Sequence, residues 1–178
     1  QKPASSTSER GGGARRRYNS AMTLKLDLTV AAIAERDRCF LVVQERAARR
    51  IVLNQPAGHL EDGESLIEAV IRETREETGR GFEPESVTGI YLWRGPRERT
   101  VLRVAFAGRV GERDQSRALD RAILRTHWLG RDELAARAGE LRSPLVLRCI
   151  DDYLLGIRYP LALLNHLPMR DMPARTVP

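Results

Sequence analysis

The stretch SLIEAVIRETREETG, from Ser65 to Gly79, leaves little freedom to whatever surrounds it. Ser65 with Glu68 three residues on forms a capping-box pair, and Gly79 is a ready C-terminal stop. Leu66, Ile67, Ala69, Val70 and the Thr74 methyl recur at helical spacing between them, so the segment predicts a helix over residues 66–78 with one apolar stripe. That stripe must be covered by something. Off the stripe lie Glu73, Glu76 and Glu77, where like charges three and four residues apart cost about 0.2–0.5 kcal/mol per pair. They also sit toward the negative end of the helix dipole. A chain that crowds carboxylates there invites compensation from outside itself.

The rest of the chain reads mainly as strands. Runs at 24–34 and 39–46 flank the polar connection ERDR and suggest a hairpin, and IVLNQPAG adds a short apolar piece ending in a loop. Further strands are expected at 87–93 and 100–110, separated by a turn at RGPRER, and at 125–129. Helices are expected at 131–137 and at 144–155, the second capped by Ser143 with Pro144 in its first turn. Strands that dominate, with helices inserted early and late, predict an α/β chain of the α+β type: a mixed β-sheet covered by helices on both faces.

Composition narrows the function classes. A chain of 178 residues is about one domain long. At that size about 70% of the unfolded surface is buried, enough for a core without staples. No apolar run approaches the roughly 18 residues of a membrane helix. Two cysteines and three histidines, none spaced as a ligand pair, argue against a disulfide framework and against structural zinc. A reducing, cytoplasmic setting fits, and any metal is expected on oxygen ligands. Lys2, Arg10, Arg15, Arg16 and Arg17 against Glu9 carry four of the six net positive charges, so the basic character belongs mainly to residues 1–21 and not to a nucleic-acid surface on the body. That tail is Ser-, Gly- and Arg-rich and is expected to be disordered. It matches an organelle transit peptide as well as an upstream extension before a start at Met22, and we take the second reading. The expected organisation is a tail at 1–21, a domain at 22–170 and a short tail at 171–178.

Three carboxylates within about 5–6 Å on one helix can hold hard divalent cations, which take oxygen ligands and share them with substrate phosphates. The bland alternative is a solvated face, since Glu68 with Arg72 and Arg72 with Glu76 are ordinary i,i+4 ion pairs. The wider pattern separates the two. Gly58, five residues, Glu64, seven residues, then Arg72, Glu73, Glu76, Glu77 and Gly79 resembles the Nudix box of the Nudix hydrolase superfamily, with Thr74 and Arg80 standing where that family prefers bulky apolar residues. LNQPAGHLE, ELRSPLV and GIRYPLALL extend the resemblance to the phosphatase NudJ subgroup over nearly all of residues 24–164.

The resemblance implies an alpha-beta-alpha sandwich around a mixed sheet and a Mg²⁺-dependent hydrolase, with Mn²⁺ able to substitute. Its substrates would be small nucleotides or pyrophosphates, cleaved at phosphoanhydride bonds with release of orthophosphate. On the same footing Glu73, Glu76 and Glu77 are the catalytic and metal-holding glutamates, with the backbone carbonyl of Ala57 completing the metal shell and Glu73 matching the position most often tied to proton abstraction. Glu64 and Arg72 form the structural pair of the motif. Asp120 is the nearest candidate for a further acid from a later loop, Asn54 and Gln55 are candidates to face substrate, and Arg46, with Arg49 and Arg50, is a candidate phosphate contact. The alternatives are a solvated loop residue for Asp120, satisfaction of loop backbone groups for Asn54 and Gln55, and, as the commoner case, solvated side chains for the arginines. His59 is read as a neighbour of the site, and Trp93 and Trp128 as core. Two rivals remain: a nucleoside diphosphate sugar or dinucleotide pyrophosphatase, and a non-catalytic nucleotide-binding domain.

Overall fold

The computed structural model describes residues 25–96 and 99–167. The tails at 1–21 and 171–178 and the start at Met22 lie outside the described residues. Among the described residues eight strands and three α-helices follow in the order β1 (Leu26–Ile33), β2 (Glu35–Arg36), β3 (Cys39–Ala47), β4 (Arg50–Asn54), β5 (Ala57–His59), α1 (Leu66–Thr78), β6 (Arg80–Arg94), β7 (Thr100–Arg113), β8 (Ile123–Gly130), α2 (Arg131–Ala136) and α3 (Leu145–Leu154). Among the described residues no helix is long and apolar enough to cross a membrane.

A mixed four-stranded sheet runs β5-β1-β7-β6, with β1 and β7 parallel and the outer pairs antiparallel. A smaller antiparallel sheet is built on β3, which pairs with β2, β4 and β8. The expected hairpin between the first two runs is therefore corrected. The chain leaves β1 at Ala34 and changes sheets, and only Glu35–Arg36 folds back on β3 across a two-residue turn at Asp37 and Arg38, both with positive φ (51° and 62°). The reason is burial on both faces. Val30 to Ala34 are all buried, and such a strand belongs inside a sheet between two partners.

Alternation along these strands builds two cores. Val30, Ala32 and Ala34 of the first run, Leu41 of β3 and Val104 and Phe106 of β7 pack with Ala69 and Val70 of α1. Ile33, Phe40, Val42 and Ala105 face the other way, onto Leu134 of α2 and Val146, Cys149 and Ile150 of α3. The result is the layered arrangement with a helix on each face. Each fully buried aliphatic side chain contributes about 1.5–3 kcal/mol by leaving water.

Two further expectations need correction. β6 begins at Arg80, not at residue 87, because the polar half containing Pro84 pairs with the equally polar end of β7 through bulges. Gly108 makes this possible, since a side chain there would collide with Phe82 and the Glu83 backbone. Ser143 does not cap α3. Pro144 is the N-cap, it provides no side-chain bond, and the Ser143 hydroxyl is buried without a partner.

Candidate active site

Helix α1 forms as its sequence directs. The Glu68 N–H donates to Ser65 Oγ (3.2 Å), the Ser65 N–H donates to Glu68 Oε2 (2.7 Å), and Gly79 ends the helix at φ 68° with its N–H on the Arg75 carbonyl. Thr74, polar in an apolar row, is fully buried and donates its hydroxyl to the Val70 carbonyl at 2.7 Å. With the apolar stripe seated on the sheet, the glutamates fall along its flank, Glu76 toward solvent and Glu73 and Glu77 turned inward.

Arg72 organises that face. Its Nε and Nη2 grip the two oxygens of Glu64 at 3.0 and 2.7 Å, Nη2 also donates to the His59 carbonyl at 3.0 Å, and Nη1 donates to Glu73 Oε1 at 2.9 Å and Glu76 Oε2 at 3.2 Å. One guanidinium thus offsets the carboxylate repulsion and clamps the Gly58–Glu64 loop to the helix. The Glu73 carboxylate lies in the space that a side chain on Gly58 would take. Glu77, 8% exposed, accepts the Ala57 N–H on Oε2 at 2.9 Å.

These groups border a cavity of about 870 Å³. Glu73 and Glu77 of α1, Glu45 of β3, Asp120 and the backbone at Ala57 and Gly58 line it, as do Arg103 of β7, Arg99, Arg142 and Ser143, with Trp93 and Pro96 among the remaining residues. Asp120 is delivered by a loop laced to the end of α1: the Asp114 N–H donates to the Gly79 carbonyl and the Asp120 N–H to the Glu76 carbonyl. Burial raises the Glu77 carboxyl well above its ordinary pKa, and Glu45, Glu73 and Asp120 raise it further against the pull of the Ala57 N–H. Burial also raises Glu73, against the pull of Arg72.

This donor set suits a hard cation. It is all oxygen, it is partly desolvated, and its charge is compensated only in part, by Arg72 at Glu73 and by Arg142 at Glu45. Among the described residues, however, no three carboxylate, histidine or cysteine side chains already converge as an ion cage. Brought together, the carboxylates take the nearest donors: Glu76 turns to Arg72 at the helix surface and does not line the cavity, and Glu77 uses one oxygen on Ala57.

Of the other expected residues, Asn54 lines the cavity and donates to Glu45 Oε1 at 3.3 Å. Gln55 does not face it as a substrate contact. Only 1% exposed, Gln55 donates to the Val146 carbonyl (3.2 Å) and accepts from Arg103 Nη1 (3.1 Å), a strut between α3 and β7. Arg46 is exposed on β3 and Arg50 donates to the Gly139 carbonyl, and neither lines the cavity. Trp93 is a cavity residue and not core, whereas Trp128 packs on the α1-side core beneath Arg36 and Arg80.

Glu45, Arg103 and Arg142 were not singled out by the sequence. Arg103 carried a usable signal, a lone charge in VLRVAFA on the strand face shared by Val101 and Ala105. Glu45 and Arg142 pair at 3.3 Å across a long stretch of chain and carried none.

Known proteins share this fold and its sequence pattern. The NUDIX domain family matches residues 25–149. Proteins called Phosphatase NudJ, from Escherichia coli (strain K12) and Shigella boydii serotype 4 (strain Sb227), are each 37% identical over 141 residues, covering 79% of this chain and 92% of theirs. A NUDIX hydrolase from Nitrosomonas europaea superposes with a TM-score of 0.78 at 48% identity, covering 80% of this chain and 98% of that one.

Proposed function

The chain belongs to the NUDIX family and is a hydrolase of phosphorus-containing acid anhydrides, and we propose that it uses Mg²⁺ to cleave nucleoside di- and triphosphates or related pyrophosphates with release of orthophosphate. The observation that carries this reading is the cavity itself, where the partly desolvated carboxylates of Glu73 and Glu77 on α1, with Glu45 of β3 and Asp120 beside them, meet guanidinium groups from β7 and the segment before α3. The name shared by the 37% identical relatives supports orthophosphate as the product. Two cysteines that remain free thiols support residence in the cytoplasm.

Glu73, Glu77 and the Ala57 carbonyl would hold the cation, with Glu76 joining once released from Arg72. Bound there, the ion would neutralise phosphate oxygens and lower the pKa of water. Glu73 accepts the proton of the attacking water, and Arg72, donating to its Oε1 at 2.9 Å, fixes its position. Glu64 acts through Arg72 only. Asp120 and Glu45 add negative charge that favours cation binding, and Arg99, Arg103 and Arg142 supply positive charge for the phosphates.

The test is a panel of nucleotides and pyrophosphates with Mg²⁺, Mn²⁺ or chelator, with products separated. Orthophosphate from the first turnover supports the reading. Pyrophosphate with monophosphate as the initial pair rejects the cleavage position, and near-normal turnover in Glu73→Gln, Glu76→Gln and Glu77→Gln alike rejects the site.

A further inference from the structure

Among the described residues eight buried side-chain polar atoms have no hydrogen-bond partner, and four of them, Thr29 Oγ1, Asn54 Oδ1, Arg103 Nε and Ser143 Oγ, belong to residues lining this one cavity. Native folds keep such atoms few, because each costs free energy when left dry. Asn54 belongs with the acidic groups through Glu45. The other three can all donate a hydrogen bond.

Arg103 is the strongest of them. It is 5% exposed, with Nη1 committed to Gln55 Oε1 and Nε bonded to nothing. The nearby Glu45 carboxylate pairs with Arg142 and not with Arg103. A guanidinium has five donors and no acceptor, so a buried one without a counter-ion calls for an anion. Ser143, 8% exposed, sits immediately before the N-cap of α3, whose first turn receives no side-chain cap. The Val146 N–H is taken by the Ser143 carbonyl at 3.3 Å, so what the ten-residue helix presents beside the same hydroxyl is the positive end of its dipole. Gln55 ties these parts together, since it bonds both Arg103 and the Val146 carbonyl in the first turn of α3.

We propose that Arg103, Ser143 and the N-terminus of α3 form a phosphoryl-binding subsite, positioned by Gln55, that takes the second phosphoryl group of a diphosphate whose neighbour lies at the Glu73–Glu77 carboxylates. The assignment rests on the functional reading above and deepens it. The site requires two adjacent phosphoryl groups, so a diphosphate linkage is engaged at both halves and a monophosphate ester at one. Arg103 and Ser143 set specificity and hold the group that does not react.

The experiment is a titration of orthophosphate, pyrophosphate and a nucleoside monophosphate into the wild-type protein, Arg103→Met, Arg103→Lys and Ser143→Ala. Binding is followed by calorimetry and thermal melting, with chelator and again with Mg²⁺. Wild type should bind pyrophosphate more tightly than either single-phosphate ligand. Arg103→Met should weaken pyrophosphate about tenfold or more; it removes a buried unpaired charge and also the donor to Gln55 Oε1, so the ligand-free melting temperature is used to confirm that the variant is folded. Arg103→Lys should weaken it less, through loss of the planar fork. In wild type the ¹⁵N signal of Arg103 Nε should shift in step with pyrophosphate saturation. The subsite is overturned if both Arg103 variants fold and bind pyrophosphate as wild type does, if wild type binds none of the ligands in either condition, or if the Nε signal stays fixed at saturation. Turnover is read separately. An absence of phosphoanhydride hydrolysis in wild type would reject the functional reading, while the binding titration still decides the subsite.

Discussion

Replacing Gly58 by alanine places a methyl group where the Glu73 carboxylate lies, overlapping its carbon and both oxygens. The backbone at Gly58 is not in the left-handed region, so the cost comes from that collision and not from φ. Something must move, and the free end of Glu73 is softer than the β5 backbone paired to Val30. Overpacking costs about 1–3 kcal/mol. Here the low end applies, about 1 kcal/mol, which is about 2–4 °C in melting temperature for a domain of this size. The bond from Arg72 Nη1 to Glu73 at 2.9 Å is lost with the move. Catalysis suffers more, because a misplacement of about 1 Å costs about 10² in rate, and loss of the base altogether costs about 10² to 10⁴. Orthophosphate release with Mg²⁺ and thermal melting should therefore part company: kcat/KM falls by two to four orders of magnitude, with a melting temperature only a few degrees lower. Gly81→Ala, where the added methyl meets nothing within 4 Å, is the control and should leave both unchanged. In a Glu73→Ala background the collision is gone, so adding Gly58→Ala should cost no further stability. Turnover of Gly58→Ala within threefold of wild type, against the hundredfold or greater loss expected here, would refute the placement of Glu73 or its role.

Three other outcomes follow from the same contacts. Glu77→Gln keeps an acceptor for the Ala57 N–H and removes a buried charge; because the folded carboxyl is raised above the ordinary 4.5, wild-type stability declines as pH rises past that value, so in chelator the variant should be more stable at pH 7–8 by about 1 kcal/mol, with the order reversed by saturating Mg²⁺ in urea melts. Glu64→Gln should lose about 2 kcal/mol at neutral pH, since Arg72 holds the Glu64 carboxyl below 4.5; that contribution is present above pH 4.5 and disappears as pH falls through the lowered value, where the two proteins should converge. Cys149 is fully buried with its thiol pushed up to about 11, so alkylation of the native protein at pH 8 should reach Cys39 alone, and both cysteines only after unfolding.

Helix α1 was legible to the residue because its limits are set locally, by Ser65 with Glu68 at one end and Gly79 at the other. The outer strand segments were not. The polar residues Glu83 to Ser86 become strand only because the end of β7 extends alongside them, a pairing no local pattern encodes. The parallel union of β1 with β7 is likewise a choice between partners distant in the chain, and the tight turn at Asp37–Arg38 concealed the change of sheet. In the site, the glutamates of α1 were readable because one helix displays them at fixed spacing. Arg103, Arg142 and Glu45 come from three separate segments, and only folding brings them to one cavity. Ser143 was mistaken for a cap because serine before proline at a helix start usually is one, and here its hydroxyl has no backbone partner.

The strut made by Gln55 has an evolutionary consequence. The machinery on α1 is braced by Arg72 to its own loop, and the lining from β7 and α3 is braced by Gln55 to itself. Apart from the Glu45–Arg142 pair, each half is held mainly by its own brace, so descendants could exchange side chains on the β7 and α3 half, and with them the molecules accepted, while inheriting the hydrolytic half untouched. Drift in preference among relatives should accordingly trace to residues 99–103 and 142–145 and leave residues 58–79 alone. Gln55 would be the hinge of that drift, since altering it shifts Arg103 and the start of α3 together.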